Sequence, residues 1–148
     1  MEENTNWKIV DSRYVIQTPH LRLRHDSIEL PNGHRIEDYY VRETAGFAIV
    51  FALTPENNVV LVRQYKHGIG ESVLELPAGG IEPGESPVVC ARRELAEETG
   101  YVGTPPEPEH IASFISDPTN SNGRFHLFMA HDAQPSLKQQ LDPTEAIT

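Results

Sequence analysis

Hydrophobic and polar positions alternate over the first forty residues, which is a pattern typical of half-buried β-strands. Apolar side chains recur in the segments 14–16, 21–23 and 28–30, and in the second of these leucines alternate with arginine. Pro31-Asn32-Gly33 follows, and an Asn-Gly pair accepts the positive φ angles of a tight turn. The sequence therefore predicts strands up to this turn and a return strand over 34–42.

Denser apolar runs follow in the middle of the chain. Residues 47–53 and 59–65 are almost continuously hydrophobic and are separated by the turn 55–58. Such runs are typical of central strands that are buried on both faces, and this is the interpretation we give them. Three further short strands are predicted at 72–76, 110–116 and 124–130.

One helix is predicted, after a loop over 76–85 that is rich in proline and glycine. Ser86 is a favourable N-cap and Pro87 a favourable first helical residue. Gly100 can adopt the left-handed conformation that ends a helix. The predicted buried face of this helix carries Val88, Ala91 and Leu95.

Length and composition limit the class of protein. The chain has 148 residues, no internal repeat and no linker, so one structural domain is expected. Its net charge of −10 disfavours nucleic-acid binding. Cys90 is the single cysteine of the chain, so an internal disulfide is excluded. Residues 1–4 do not resemble a signal peptide, and the run 47–53 is too short to span a membrane. We therefore expect a cytoplasmic protein with no membrane partner.

Three glutamates lie on one turn of the predicted helix. Glu94, Glu97 and Glu98 have the spacing i, i+3 and i+4, so they share a face, and Arg93 can pair with Glu97. In a partly desolvated cleft, two such charges at about 6 Å repel by roughly 3 kcal/mol. A hard divalent ion, Mg²⁺ or Mn²⁺, would remove that cost and supply the positive charge that phosphate binding requires.

The alternative is a solvated helix face laced with salt bridges, which is the commoner meaning of such a cluster. That alternative explains neither the glycine-rich loop directly before the helix nor the acidic residues Glu82 and Glu85 within it.

The stretch 79–101 resembles a complete Nudix box. Gly79, five residues, Glu85, seven residues and then Arg93-Glu-Leu-Ala-Glu-Glu-Thr-Gly100-Tyr101 fill each fixed position of that motif. The resemblance implies a Nudix-type α/β/α sandwich with a mixed sheet. It also implies hydrolysis of a nucleoside diphosphate linked to another moiety.

The same resemblance implies a metal site. Glu94 and Glu98 would be ligands of Mg²⁺ or Mn²⁺, and Glu97 would be a ligand or would organise a water molecule. The carbonyl of Ala78 would join the metal shell. Arg93 would orient the glutamates.

The general base of the reaction stays open among three residues. Similar proteins often carry a loop glutamate where Gly123 stands here. Glu97 is the first candidate, with Asp117 or Glu82 as substitutes. Glu85 would brace the loop against the helix.

Outside the box, the chain resembles the ADP-ribose and nucleotide-sugar pyrophosphatase branch. Residues 1–42 would be an N-terminal antiparallel segment that forms a homodimer, and 43–148 the Nudix domain. Similar proteins continue beyond a segment like 141–145 into another strand and helix, which a partner subunit could replace. The expected substrate contacts are Arg63, Lys66 (usually arginine in this branch) and Glu75.

The resemblance thus implies a hydrolase that converts ADP-ribose or a nucleotide sugar, both small nucleotides, into a nucleoside monophosphate and a sugar phosphate. The alternative is a Nudix-fold module that binds ADP-ribose without cleaving it.

Overall fold

The structure is a computed structural model that describes residues 5–148. The chain divides into two compact units. One contains the chain up to Thr44 together with Ile115–Gly123, and the other contains Ala45–Phe114 and Arg124–Thr148. Residues 1–4, on which the absence of a signal peptide was judged, lie outside the described part.

The first unit is built on an antiparallel sheet of three strands. Its strands are β1 (Lys8–Gln17), β2 (Arg22–Glu29) and β3 (Arg35–Glu43), with β2 in the centre. Gly33 has a φ of 81° in the turn between β2 and β3, so the predicted turn and return strand are confirmed. All ten residues of the edge strand β1 are exposed.

The second unit is built on a mixed sheet of four strands. Strand β4 (Phe47–Ala52) pairs in parallel with β10 (Arg124–Ala130) and antiparallel with β7 (Ala78–Gly80), and β9 (Glu109–Ile115) lies outside β10. Alternate residues of β4 are fully buried and the others are half-buried. The expectation that this strand is buried on both faces is therefore met on one face only.

Helix α1 (Pro87–Thr99) covers one face of that sheet, and its predicted ends are confirmed. Ser86 has an extended backbone, and Gly100, with φ 74°, donates its N–H to the Ala96 carbonyl. A Cβ on Gly100 would lie 2.5 Å from the Leu137 carbonyl oxygen, so the close approach of the C-terminal segment also requires glycine here. Ala91 and Leu95 are buried, as the predicted apolar face requires, together with Cys90.

The interpretation of 59–65 as a central strand is wrong. The strand begins at Val62 and forms, as β5 (Val62–Lys66), a separate hairpin with β6 (Glu71–Glu75). Leu61 and Tyr65 are exposed. Apolar density alone does not distinguish a doubly covered strand from a hairpin whose outer face is open.

Three short strands were not predicted. Strand β7 lies inside the expected loop 76–85, while β8 (Tyr101–Val102) pairs with β11 (Gln134–Pro135). The fold class is confirmed as α/β, with a mixed sheet preceded by an antiparallel one. No helix within residues 5–148 is long and apolar enough to cross a membrane.

The packing of α1 on the sheet can be tested with two phenylalanines. Phe128 is 2% exposed in the core beneath α1, whereas Phe114 on β9 is 51% exposed. Phe128→Ala should lower the free energy of unfolding by about 3–5 kcal/mol, because it removes buried area and leaves a cavity. Phe114→Ala should change it by about 0.5 kcal/mol or less. Urea denaturation of both variants measures the difference, and equal losses would contradict this core.

Candidate functional site

The three glutamates of α1 differ in their exposure to solvent. Glu94 is 7% exposed and Glu98 is 5% exposed, whereas 42% of the Glu97 side chain is exposed. Burial of two carboxylates on one helical turn is costly unless partners compensate each of them. The cluster is therefore more than a solvated helix face.

Arg93 is the main compensating charge. Its Nη1 lies 2.6 Å from Glu94 Oε1 and 3.1 Å from Glu97 Oε2, so the predicted pairing with Glu97 is present. Its Nε and Nη2 each donate at 2.9 Å to Glu85, and Nη2 also donates to the Gly80 carbonyl at 3.1 Å. The guanidinium fork thus ties the loop before the helix to the helix itself.

Glu85 holds that loop in place. The hydrogen bonds from Arg93, and a further one from the Glu82 N–H, lower the pKa of Glu85 to about 2 although its burial acts in the opposite direction. Glu85 is therefore ionised throughout the neutral range, and its carboxylate bridges loop and helix.

The backbone of β7 meets the other side of the cluster. The N–H of Ala78 donates to Glu98 Oε2 at 2.9 Å. A Cβ on Gly79 would overlap the Glu94 carboxylate, so only glycine leaves room for that side chain. Cys90 Sγ lies 3.4 Å from the Gly80 carbonyl oxygen and fills the space beneath the loop.

The environment raises the pKa of both buried glutamates. Burial is the largest cause for Glu98, whose pKa rises to about 7, and the charges of Glu94 and Glu145 add to it. Burial likewise raises the pKa of Glu94, partly offset by Arg93. An additional positive charge nearby would stabilise the ionised form of both carboxylates.

The donor set is compatible with a hard divalent ion. Glu94 and Glu98 offer carboxylate oxygens beside a backbone cradle that has no room for another side chain, and Mg²⁺ is commonly held by one or two carboxylates plus water and substrate phosphate. As they stand, no three His, Cys, Asp or Glu side chains of residues 5–148 are gathered closely enough to hold a metal ion. Arg93 instead engages Glu94 and Glu97.

A cavity of about 510 Å³ is lined by Glu94 and Glu97 of the helix. Besides residues of the loop and of α1, it is lined by the C-terminal residues 140–142 and by Glu145. Glu145 accepts the Asp142 N–H at 3.0 Å, and its charge raises the pKa of Glu94 and Glu98.

Sequence reasoning missed Glu145 as a site residue. The sequence signal at Glu145 is the spacing Asp142-Pro-Thr-Glu145, which resembles a capping box. This spacing predicts a local turn, but it does not predict which part of the fold the turn contacts.

The expected substrate contacts separate into two groups. Lys66 Nζ lies 2.8 Å from Glu75 across the β5–β6 hairpin, and its charge lowers the pKa of Glu98, so it belongs to the vicinity of the cluster. Arg63 is exposed and, three positions from Lys66, points to the other face of β5. Its backbone N–H and C=O pair with Thr148.

The substitute candidates for the general base lie in different units. Glu82 lines the cavity in the second unit. Asp117 belongs to the first unit, where its carboxylate accepts the Asn120 N–H at 3.1 Å. Gly123, which takes the place of the expected loop glutamate, is buried beside Thr44 in that same unit.

Comparison with known proteins identifies the family. Residues 43–147 match the NUDIX domain model, and residues 7–41 match the model described as nucleoside diphosphate sugar hydrolase N-terminal domain. The chain therefore belongs to the Nudix family.

Two curated relatives cover most of the chain. A "Methanol dehydrogenase activator" of Bacillus methanolicus is 37% identical over 123 residues, or 83% of this chain. An "ADP-ribose pyrophosphatase" of Bacillus subtilis (strain 168) is 32% identical over 123 residues, or 82% of this chain. The matched region spans 65% of the length of each relative.

A solved structure shares the fold. The crystal structure of an ADP compounds hydrolase superimposes with a TM-score of 0.79 at 21% identity, covering 96% of this chain and 76% of that one. At this identity the similarity establishes the Nudix fold and carries no statement about substrate.

The bridge between Glu85 and Arg93 predicts a pH-dependent stability. Glu85→Gln should lower the free energy of unfolding by about 1.5–3 kcal/mol at neutral pH, since it weakens hydrogen bonds between charged groups. Because the folded-state pKa of Glu85 is depressed from 4.5 to about 2, the difference from the unmodified chain should be constant above pH 4.5 and shrink as the pH falls towards 2. Chemical denaturation across this range measures it.

Glu82→Gln is the matched control, because the exposed Glu82 enters the bridge through its backbone N–H and not through its side chain. A loss that is equal in both variants, or that grows as the pH falls, would contradict the assigned bridge.

Proposed function

We propose that the chain is a metal-dependent hydrolase that cleaves the pyrophosphate of a nucleoside diphosphate linked to another moiety, most specifically ADP-ribose or a nucleotide sugar. The products would be a nucleoside monophosphate and a sugar phosphate. One observation carries the proposal: Glu94 and Glu98 are buried on one helical turn with raised pKa values, and Glu94 lines the cavity together with Glu97.

The names of the relatives support the substrate class. The Bacillus subtilis relative is named an ADP-ribose pyrophosphatase, and the N-terminal model is named for nucleoside diphosphate sugars. The Bacillus methanolicus relative is named as an activator of methanol dehydrogenase, and this name refers to no nucleotide substrate. The choice between ADP-ribose and another nucleotide sugar is therefore left to experiment.

Glu94 and Glu98 are the residues that would hold Mg²⁺ or Mn²⁺, with Glu97 and the Ala78 carbonyl as further candidates. The ion would activate water and neutralise charge that develops on the phosphate oxygens. Arg93 acts as a positioning residue, because its three nitrogens already engage carboxylates and the Gly80 carbonyl.

The reaction requires a proton acceptor for the attacking water. The water oxygen forms a bond to phosphorus, the bond to the bridging oxygen breaks, and the proton passes to a carboxylate. Glu97 is half-exposed, but its ion pair with Arg93 makes it a weaker base. Glu145 lines the same cavity with a carboxylate that accepts a backbone N–H, so we add Glu145 to Glu97 as a candidate base.

Hydrolysis of ADP-ribose tests the proposal directly. With Mg²⁺, the chain should release AMP and ribose 5-phosphate, which mass spectrometry separates, and reaction in ¹⁸O-water should label one product. Glu98→Gln should lower kcat/KM by about 10²-fold or more, because it removes a charge that the reaction needs. Glu145→Gln and Glu97→Gln, compared over a pH series, separate the two candidate bases.

Glu107→Gln is the matched control, since Glu107 is exposed on a loop of the same unit. Unchanged turnover of Glu98→Gln at saturating Mg²⁺ would refute its assignment. If ADP-ribose is untouched, the same assay over GDP- and UDP-sugars tests the remaining substrate class.

A binding module that recognises ADP-ribose without cleaving it is the second candidate. The observation that favours it is the pairing of Arg93 with Glu94 and Glu97, which leaves no ready group of three metal-binding side chains among residues 5–148. Saturable binding of ADP-ribose without any release of AMP would favour the module over the enzyme.

We also propose that the chain forms a homodimer through β1. Ile9, Val15 and Ile16 of this edge strand are exposed, and so is Trp7 directly before it. An exposed apolar edge strand promotes pairing with another chain. A cytoplasmic location stays a prediction from the sequence.

Light scattering coupled to size exclusion tests the dimer. The unmodified chain should have twice the mass of a 16.6 kDa monomer, and Ile9→Glu should shift it towards the monomer because a charge would be buried in the interface. Lys8→Glu, a charged-residue change on the same strand, is the control. A monomeric unmodified chain would refute the proposal.

A further inference from the structure

A second polar cluster lies in the same unit as the glutamates but shares no residue with them. His110 and Ser113 belong to β9, and His126 belongs to the neighbouring strand β10. His110 Nε2 lies 2.9 Å from Ser113 Oγ, and His126 Nδ1 lies 2.8 Å from the same oxygen. Two imidazole nitrogens therefore point at one position.

The serine hydroxyl cannot satisfy both rings in the same way. It has one hydrogen to donate, so at most one imidazole can accept from it while the other donates its N–H. Neither ring nitrogen has another hydrogen-bond partner among the described contacts. The arrangement brings both ring nitrogens within 2.9 Å of one oxygen, and whether each nitrogen carries a proton or a lone pair depends on its tautomer.

Aromatic contacts on the sheet restrain the His110 ring. The His110 ring meets Phe128 edge-on at 5.3 Å between centroids, and Phe128 is anchored in the core beneath α1. The centroids of His110 and His126 are 6.3 Å apart. Because both strands belong to one hydrogen-bonded sheet, the separation of the rings is held by backbone pairing and not by flexible loops.

We propose that His110 and His126 form a binding site for a borderline divalent transition ion, with Zn²⁺ as the reference ligand. Neutral imidazole is a preferred ligand of Zn²⁺, Ni²⁺ and Cu²⁺, with Zn–N distances of about 2.0–2.1 Å. An ion held between the two ring nitrogens would displace the Ser113 hydroxyl from the position that it now occupies between them. Water molecules complete the shell, since the site has two histidines and no third His, Cys, Asp or Glu of residues 5–148 joins them.

The local electrostatics favour the neutral form of His126, which is the form that binds metal. Burial lowers the pKa of His126, and the charges of His110 and Arg124 lower it further. His126 is therefore neutral at pH 7, with a lone pair available. The positive charge of Arg124 opposes a cation at the same time, so Arg124→Gln should tighten binding.

The chemistry of the donors distinguishes this site from the glutamate cluster. Carboxylates favour Mg²⁺ or Mn²⁺, whereas imidazoles favour zinc and its neighbours. The histidine site can consequently be titrated with Zn²⁺ while a large excess of Mg²⁺ occupies carboxylate sites, and its outcome does not depend on whether the chain hydrolyses a nucleotide.

Calorimetry of the full chain with Zn²⁺ in excess Mg²⁺ tests the proposal. One saturable site per chain is expected. His110→Gln and His126→Gln should each weaken the affinity for Zn²⁺ by at least about tenfold, because the loss of a residue that only hydrogen-bonds to a metal ligand already costs about that much. Ser113→Ala should retain the site, because both imidazoles remain. His131→Gln is the matched control, since His131 follows β10 directly and lies 3.3 Å from Glu109 instead.

A second measurement needs no variant. In the NMR spectrum of the unmodified chain, Zn²⁺ should shift the ring signals of His110 and His126 and leave those of the other five histidines in place. Absence of saturable uptake, uptake that survives both glutamine substitutions, or equal shifts at all histidines would each overturn the proposal.

Discussion

The structure around the cavity depends on the removal of two neighbouring carboxylates from water. Glu94 and Glu98 are separated by one helical turn and both are buried, so each needs a partner that the helix alone cannot supply. Arg93 compensates Glu94, and the Ala78 N–H compensates Glu98. These contacts force β7 against the helix, and the approach is close enough to require Gly79.

The same constraint bears on the charge balance of the cavity and on the function that we propose for it. The chain carries a net charge of −10, and its cavity is lined by carboxylates. Arg93 cannot serve as a phosphate ligand while its fork holds Glu85, Glu94 and Glu97. Arg93 is the one lysine or arginine among the described residues that line this cavity, and this is the physical argument for the metal dependence that we propose.

Features encoded within a few residues could be predicted from the sequence. Ser86, Pro87 and Gly100 set the ends of α1 through their own backbone preferences, and the i, i+4 spacing brings Arg93 to Glu97. The placement of 59–65 could not be predicted in this way. An apolar run indicates that burial is favourable, but the whole fold determines which element covers it. Here the run from Val62 onwards forms one strand of a hairpin with β6.

Glu145 and the pair His110–His126 show the same limit within the sites. Glu145 reaches the cavity because Gly100 lets the segment after Leu137 pass close to the end of α1, which no local pattern announces. The two histidines are sixteen positions apart and meet through strand pairing. The helix thus supplies charges whose positions follow from sequence spacing, whereas the groups that could complete either site arrive from distant segments. Substitutions at those distant segments should therefore alter binding without altering the helix that presents the glutamates.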